Sequence, residues 1–345
     1  MRLALILYGS LDTISGGYLY DRMLVGHLRA CGDTVDLISL PWRNYAVHLT
    51  QNFSLRASGY DAILQDELNH PSLFFANRFI APPRIAIVHH LRCTEQRPAW
   101  QNLFYRFIEQ TYLRTVDGFI FNSQTTRGAV ERLLTTPRPS QTAYPGGNRL
   151  GIVLNPGQIR ERAARPGPLK LLFVGNIIPR KGLDTLLDAL AQIPGGWELN
   201  VVGSLTADKP YVAKIQRRLT SHIKLHGAVS DSRLAVHCTQ SHLLIVPSTY
   251  EGFGIVYLEG MAFGLPAIAT TAGAAGEIIT HAENGFLIAP NDSTALAEYI
   301  RLLINDRERL LKMSLSAREK FLSHPTWEQS LETIRAFIHR LVVTT

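Results

Sequence analysis

Two glutamates near the end of the chain have a spacing that suits the binding of a phosphorylated ligand. Glu251 follows an apolar segment at 242–246, and Glu259 comes eight positions later. The apolar segment predicts a buried strand, and residues from about 254 to 263 predict a helix that glycine and proline then end. A strand, a glycine-containing loop and a helix N-terminus form an anion site, because N–H groups and the positive end of the helix dipole point at the ligand.

The second glutamate lies on the apolar stripe of the predicted helix. Glu259 shares this stripe with Ile255, Leu258 and Ala262, so its carboxylate is expected to be buried. A buried carboxylate needs hydrogen-bond donors, and the hydroxyls of a ribose are one source of them. The alternative is structural: Glu251 caps the helix, and Glu259 is buried against an arginine.

Two adjacent cations, Arg180 and Lys181, precede the first helix of the second half of the chain. They follow a predicted strand that starts at Lys170 and ends at Gly175. Cations beside a helix N-terminus suit a pyrophosphate. A solvated charge pair without a ligand is the less favourable interpretation, since cations oppose the dipole at that end.

These motifs carry a family resemblance. The run Glu251-Gly-Phe-Gly with its second glutamate, followed by Met-Ala, Gly264 and Pro266, resembles the signature of the retaining family-four glycosyltransferases. The resemblance implies an α/β fold of two Rossmann-like, doubly wound domains facing across a cleft, the GT-B fold. It also implies that Glu251 faces the donor sugar and that Glu259 binds the ribose of the nucleotide. The diphosphate is then expected over the loop and the helix start, at Gly252, Phe253, Gly254 and Ile255.

The resemblance extends to the loop after the strand at 170–175, with one departure. The family pattern is Gly-Arg, a short loop and Lys-Gly; Lys181-Gly182 match it, but Asn176 stands where the arginine is usual. We therefore expect Lys181 to bind the diphosphate and Arg180 to supply the missing charge.

Further candidate residues also follow predicted strands. The resemblance implies that Gly16 and Gly17 face the donor phosphates and that Val229 belongs to a turn that reads the nucleobase through its backbone. It also implies that a histidine at the end of the fourth strand contacts the donor sugar. His89 fits this position by register, with His90 next to it, so the candidate catalytic residues are Glu251, His89 and His90.

The sequence indicates no metal site. It contains no Asp-x-Asp motif, so a carboxylate-held divalent cation on the diphosphate is not indicated. No third and fourth ligand accompany the two histidines in the pattern. We therefore expect transfer without a metal ion or other cofactor, with the nucleotide-sugar as a co-substrate.

The composition favours two domains. The 345 residues are 46% hydrophobic, and strand-like runs alternate with amphipathic stretches, which predicts parallel sheets with helical crossovers. Pro/Gly clusters near residues 136–147 and 164–168 bracket a linker. We expect an acceptor domain at 1–155, completed by a crossover helix at 326–345, and a donor domain at 156–325.

The environment of the protein is expected to be the cytoplasm, with peripheral contact at the inner membrane face. No apolar run reaches the roughly 20 residues of a spanning helix, and the three cysteines show no metal spacing. The net charge of +7 fits phosphorylated substrates, nucleic acid or an anionic membrane. Segment 92–114 mixes arginines with aromatic residues, which is typical either of a membrane-facing helix or of one with a core face and a solvated face.

The function predicted from these features is the transfer of a hexose from a UDP- or GDP-linked donor to a glycan, lipid or small-molecule acceptor. Alternatives on the same scaffold are a non-catalytic sugar-nucleotide-binding protein, a sugar-nucleotide epimerase and a glycan phosphorylase. A nicotinamide-dependent oxidoreductase is disfavoured, because Gly-x-Gly-x-x-Gly does not follow the first strand. Nucleic acid is not expected as a partner, since no recognition module is visible.

Overall fold

The structure is a computed structural model that describes residues 1–50, 55, 57–95 and 97–344. The chain divides into two compact units. The N-terminal unit comprises Met1–Pro145 together with Trp327–Thr345, and the C-terminal unit comprises Gly146–Thr326.

The strands of both units are short, and most of them are largely apolar. In the part of the chain that the structure describes they are β1 (Arg2–Tyr8), β2 (Thr34–Leu40), β3 (Ala62–Asp66), β4 (Arg84–Val88), β5 (Gly118–Phe121), β6 (Ser140–Thr142), β7 (Leu169–Val174), β8 (Trp197–Val202), β9 (Ile223–Leu225), β10 (Leu243–Ile245), β11 (Ala267–Thr270) and β12 (Gly285–Ile288).

Helices alternate with these strands along the described residues. They are α1 (Gly16–Ala30), α2 (Tyr45–Thr50), α3 (His70–Leu73), α4 (Ala99–Leu113), α5 (Gln124–Glu131), α6 (Pro156–Ala164), α7 (Leu183–Leu190), α8 (Lys209–Gln216), α9 (Asp231–Gln240), α10 (Ile255–Ala262), α11 (Ser293–Asn305), α12 (Arg307–Ser323) and α13 (Trp327–Thr344). Short polar side chains begin several of them: Ser15 accepts from the Tyr18 amide, and Ser123 accepts from the Thr126 amide.

The N-terminal unit contains a parallel sheet of six strands in the order β2-β1-β3-β4-β5-β6. The strand order reverses between β1 and β3, so the loops after these strands diverge there and leave a crevice. Helix α13 packs on α1 in this unit: Arg335 Nε lies 2.8 Å from Asp33 Oδ2, and the rings of Trp327 and Tyr20 meet edge to face.

The C-terminal unit contains a second parallel sheet, in the order β12-β11-β10-β7-β8-β9. This is the Rossmann order, whose reversal falls between β7 and β10. The central strands are mostly apolar, because helices cover both faces of a parallel sheet. The prediction of two doubly wound α/β units is confirmed.

Some predicted elements differ in the structure. The edge strands β6 and β12 were not predicted, and β6 lies inside the segment that the Pro/Gly clusters marked as a linker. The segment after β3 is not one continuous helix but α3 followed by a 3-10 turn at Ala76–Phe79. Within that turn the buried amide of Asn77 bonds the side chains of Gln65 and Thr115, contacts that a pattern of apolar residues does not reveal. In the described residues, no helix combines the length and apolarity that crossing a membrane requires.

Candidate functional site

The main candidate residues lie at the carboxyl ends of β7 and β10. These two strands are neighbours, and the strand order reverses between them. Ligands of doubly wound sheets bind outside the carboxyl ends of the strands at this point. The sequence motifs around Lys181 and Glu251 therefore occupy the crevice that the fold provides in the C-terminal unit.

The loops after β7 and β10 are bonded to each other. The Thr249 amide donates to the Arg180 carbonyl at 2.8 Å, and the Arg180 guanidinium donates to the Tyr250 carbonyl at 2.8 Å. Between them Gly182 has φ +69°, and a Cβ there would lie 2.1 Å from the Pro247 carbonyl oxygen. Only glycine permits this approach, which holds the two loops in register.

The contact between the loops brings Lys181 and Glu251 together. Lys181 Nζ lies 2.6 Å from Glu251 Oε2, which also accepts from Ser248 Oγ at 3.1 Å. Burial raises the pKa of Glu251, but Lys181 and Arg180 outweigh it and hold that pKa below its usual range. Glu251 is therefore a carboxylate at neutral pH, held beside a buried ammonium group.

This pairing corrects one step of the sequence argument. Arg180 and Lys181 lie in a 3-10 turn at Pro179–Lys181 that precedes α7, and Glu251 already compensates Lys181. Because Glu251 compensates the charge of Lys181, this cation is not by itself a reason to expect a ligand. The prediction of an anion site is still supported by the geometry of the two loops and by the charges that they bring to the crevice.

Helix α10 begins where the sequence predicts an anion site. Gly254 is its N-cap with φ +97°, and a glycine has no side chain with which to cap the helix. A Cβ on Gly254 would lie 2.4 Å from the Tyr257 ring, whose hydroxyl bonds the Val246 carbonyl at 2.8 Å. The carboxylate of Glu251 bonds Lys181 and Ser248, and the positive end of α10 follows the loop that carries this carboxylate.

The second glutamate is buried against an arginine that the sequence did not single out. Glu259, 3% exposed, accepts from Arg149 Nε at 2.7 Å, and the same guanidinium pairs with Asp231. Burial raises the pKa of Glu259, and Arg149 lowers it in part. The arginine partner that the structural alternative required is thus present. Arg149 lies in a Pro/Gly-rich segment without periodicity, so no signal in the sequence marked it.

Arg149 also links Glu259 to the turn assigned to the nucleobase. Val229 is half-buried in this turn, between β9 and α9, and Asp231 is the first residue of α9. A cavity of about 560 Å³ lies between α9 and the segment 149–152. The candidate ribose carboxylate and the candidate base turn are therefore joined through one guanidinium.

We expect Arg149→Met to destabilise the protein in a pH-dependent way. The variant leaves Glu259 buried without its cation, so the folded-state pKa of this carboxyl rises further above its unfolded value. A raised carboxyl pKa costs little stability below the unfolded pKa of about 4. The cost grows as the pH rises from that value to the folded pKa, and it is fully present above the folded pKa. Denaturant unfolding should show a loss of about 3 kcal/mol at pH 8 and a much smaller loss at pH 4.5.

The control for this prediction is Arg165→Met. Arg165 pairs with Glu161 on the surface of the same unit, with both side chains more than half exposed. Its loss should change stability little at either pH. An Arg149→Met variant as stable as the wild type at pH 8 would contradict the assigned pairing.

The N-terminal unit places its candidate residues at the ends of β1 and β4. Gly16 and Gly17 are the first residues of α1. His89 and His90 follow β4, and their partners differ: His89 Nε2 lies 3.1 Å from Asp21 Oδ1, whereas His90 Nε2 lies 2.9 Å from Glu95 Oε1. Gly17 and His89 are close to each other in this unit, since a Cβ on Gly17 would lie 3.0 Å from His89 Cδ2.

Groups with metal-ligand spacing occur in the described residues of the N-terminal unit. They are His27 with Cys31 and Glu332, Asp21 with Asp66 and His89, and Glu67 with His70 and Glu109. None of the groups found in the described residues contains Glu251 or Glu259.

Comparisons with known proteins agree with the motifs. Residues 157–320 match the sequence model of the family described as glycosyl transferases group 1. The C-terminal unit therefore has the sequence features of the group 1 glycosyltransferases. The chain is 35% identical to an uncharacterized glycosyltransferase of Methanocaldococcus jannaschii over 170 residues. This aligned segment is 49% of the chain and 48% of that protein. The chain thus spans about half the length of the curated relatives it matches.

Similar solved structures cover the whole chain. Sucrose-phosphate synthase from Thermosynechococcus elongatus has a TM-score of 0.83 at 21% identity, with 100% of both chains covered. Anabaena HepE, solved in complex with UDP-glucose, has a TM-score of 0.76 at 20% identity and the same coverage. The resemblance to group 1 glycosyltransferases and the GT-B fold class predicted from the sequence are confirmed.

Proposed function

We propose that this chain transfers a hexose from a nucleotide-sugar to a glycan, lipid-linked or small-molecule acceptor, with retention of the anomeric configuration and without a metal ion. UDP- and GDP-linked hexoses are the proposed donors, and the UDP-glucose complex of HepE favours the first. The observation that carries the proposal is the pairing of Glu251 with Lys181 at the switch point of a Rossmann sheet.

The proposed chemistry follows from these charges. Transfer of a sugar passes through a state with positive charge on the ring and negative charge on the departing phosphate. Lys181, Arg180 and the start of α10 are the groups proposed to stabilise the phosphate, and preorganised groups of this kind commonly contribute a few kcal/mol each. Glu251 is the proposed carboxylate for the positive ring, and Glu259 is the proposed partner of the ribose hydroxyls. His89 is the proposed contact of the sugar in the N-terminal unit.

The experiment that tests this function follows nucleoside diphosphate release and sugar products from several sugar conjugates, with and without acceptor sugars and with EDTA. We expect release from one donor class, stimulated by an acceptor and unchanged by EDTA, with a product of retained configuration. A strict magnesium requirement would contradict the proposed use of Lys181 and Arg180 in place of a cation.

The same product analysis separates the alternatives. A sugar-nucleotide epimerase changes the donor without an acceptor, and a glycan phosphorylase depends on inorganic phosphate. Nucleotide binding without hydrolysis or transfer would favour a non-catalytic binding protein.

We also propose that α4 contacts an anionic lipid surface. In segment 92–114, of which the structure describes all but residue 96, four apolar side chains are exposed at helical spacing on one face. They are Trp100 (71% exposed), Leu103 (69%), Phe104 (44%) and Phe107 (65%). The exposed Arg106 and Arg114 lie on the same helix or at its end. Exposed aromatic residues with arginines suit a membrane interface.

This proposal predicts that a Trp100→Ser, Phe107→Ser double variant binds phosphatidylglycerol vesicles at least about tenfold more weakly, because each large side chain contributes on the order of 1.5–3 kcal/mol when buried in the interface. Vesicle co-sedimentation measures the effect. Val343→Ser removes another exposed apolar side chain, 74% exposed on α13, and should leave binding unchanged. Equal binding by the double variant and the wild type would refute the contact through α4.

A further inference from the structure

The backbone at the end of β4 is fixed by the neighbouring strand-to-helix loop. The carbonyl oxygen of His89 accepts from Asn122 Nδ2 at 2.9 Å and from Thr126 Oγ1 at 3.3 Å. Both donors follow β5, the neighbour of β4 in the sheet. These two hydrogen bonds hold the main chain of His89 in place.

The ring of His89 is held by residues of α1. Its Nε2 lies 3.1 Å from Oδ1 of Asp21, which is fully buried, and the Tyr20 ring meets it edge to face at 5.4 Å. Gly17 lies one helical turn before Asp21, so both occupy the same face of α1. A Cβ on Gly17 would lie 3.0 Å from His89 Cδ2, so this glycine leaves room for the ring.

The pair leaves one ring nitrogen available. Among the residues that the structure describes, His89 Nδ1 has no recorded hydrogen-bond partner, and 14% of the side chain is exposed. Asp21 Oδ2 is buried and also lacks a partner there. A buried carboxylate with an unsatisfied oxygen is costly unless a cation stands beside it, which favours the charged form of the histidine.

We propose that Asp21 is a positioning residue that fixes the imidazole of His89 through Nε2 and keeps it positively charged, so that Nδ1–H is presented as a hydrogen-bond donor to an oxygen of the donor sugar or its phosphate. The proposal rests on the proposed function for the identity of the ligand. The geometry that it uses lies wholly within the N-terminal unit.

The electrostatics of the surrounding groups support this role. Burial lowers the pKa of His89, but Asp21, together with Asp66 and Glu67 at the end of β3, raises it to about 9. Burial, with the charge of Asp21, raises the pKa of Asp66 to about 7. His89 is therefore positively charged at neutral pH, and its charge is lost as the pH rises through about 9.

The experiment is an NMR titration of the histidine ring signals in the wild type and in Asp21→Asn, with His89→Gln used to assign the signal. We expect the pKa of His89 to fall by about one unit or more in Asp21→Asn, the usual effect of removing an opposite charge. The falling alkaline limb of kcat/KM should shift to lower pH by the same amount. An unchanged His89 titration in a folded Asp21→Asn protein would overturn the proposal.

Gly17→Ala tests the positioning without changing any charge. The added methyl group is expected to push the ring away from Asp21 and to lower kcat. The matched control is Gly26→Ala in the same helix, where a Cβ meets nothing within 4 Å, and it should leave kcat unchanged. Equal kcat in Gly17→Ala and Gly26→Ala would contradict the proposal. This comparison tests the proposal even if Asp21→Asn does not fold.

Two further outcomes are informative. Asp21, Asp66 and His89 have metal-ligand spacing, so Zn²⁺ is added in a separate titration. Stoichiometric zinc binding that is lost in Asp21→Asn would assign the group to a metal and overturn the positioning role. The ring titration needs no substrate, so it decides the role of Asp21 even if no donor is turned over, in which case only the proposed function fails.

Discussion

Replacing Glu251 by glutamine is expected to lower kcat by about a hundredfold to a thousandfold, the usual effect of removing one electrostatic stabiliser of a transition state. The amide still accepts a hydrogen bond from Lys181 and Ser248, so the loop should keep its conformation. Nucleoside diphosphate affinity should therefore change by less than about threefold, since Lys181 remains in place. Steady-state kinetics and calorimetric titration measure the two effects separately.

The control for this prediction is Glu283→Gln, an exposed glutamate of the same unit. It should leave both kcat and affinity unchanged. If Glu251→Gln keeps full turnover, Glu251 is not the carboxylate of the reaction and the site assignment is wrong.

Replacing Lys181 by methionine is expected to weaken the binding of nucleoside diphosphates by about tenfold to a hundredfold. Methionine fills a similar volume but removes the cation and leaves Glu251 buried without its main partner, so the pKa of Glu251 rises. Truncating one member of a buried charge pair typically costs 2 kcal/mol or more in binding. The unphosphorylated nucleoside should be affected much less, because the proposed contact is to phosphate.

Lys209→Met is the matched control, since Lys209 is exposed at the start of α8 in the same unit. Calorimetric titration with UDP, GDP and the corresponding nucleosides distinguishes a lost phosphate contact from a general distortion of the site. Equal loss for nucleoside and diphosphate would point to a general distortion of the site, which contradicts a phosphate contact by Lys181.

Two central strands were predicted well because each is a largely apolar run. The strands predicted at 170–175 and 242–246 agree with β7 and β10 to within about a residue, and the crevices follow from the order of parallel strands. Two edge strands, β6 and β12, were missed. β6 is Ser-Gln-Thr, which has no apolar run to mark it, and each of the two strands is positioned by pairing with a single neighbouring strand. Such pairing leaves little trace in local sequence.

The residues of the candidate site that belong to a sequence motif could be predicted. The residues that are positioned only by tertiary contacts could not. Glu251 and Lys181 were found from their motifs, but their direct pairing depends on how Gly182 brings two distant loops together. Arg149 and Asp21 were missed, since a single charged residue in a loop or helix has no recognisable spacing. Their partners are 110 and 68 positions away in the chain.

The central claim is that the C-terminal unit binds a nucleotide-sugar, and thermal unfolding with added nucleotides tests it most directly. UDP, GDP, ADP and their sugar conjugates are compared in the presence of EDTA. A ligand at a hundred times its dissociation constant adds about 2.7 kcal/mol to the stability of the folded state, enough for a visible shift of the midpoint. We predict a shift with one base only, reduced in Lys181→Met. No shift with any of these ligands would contradict the account.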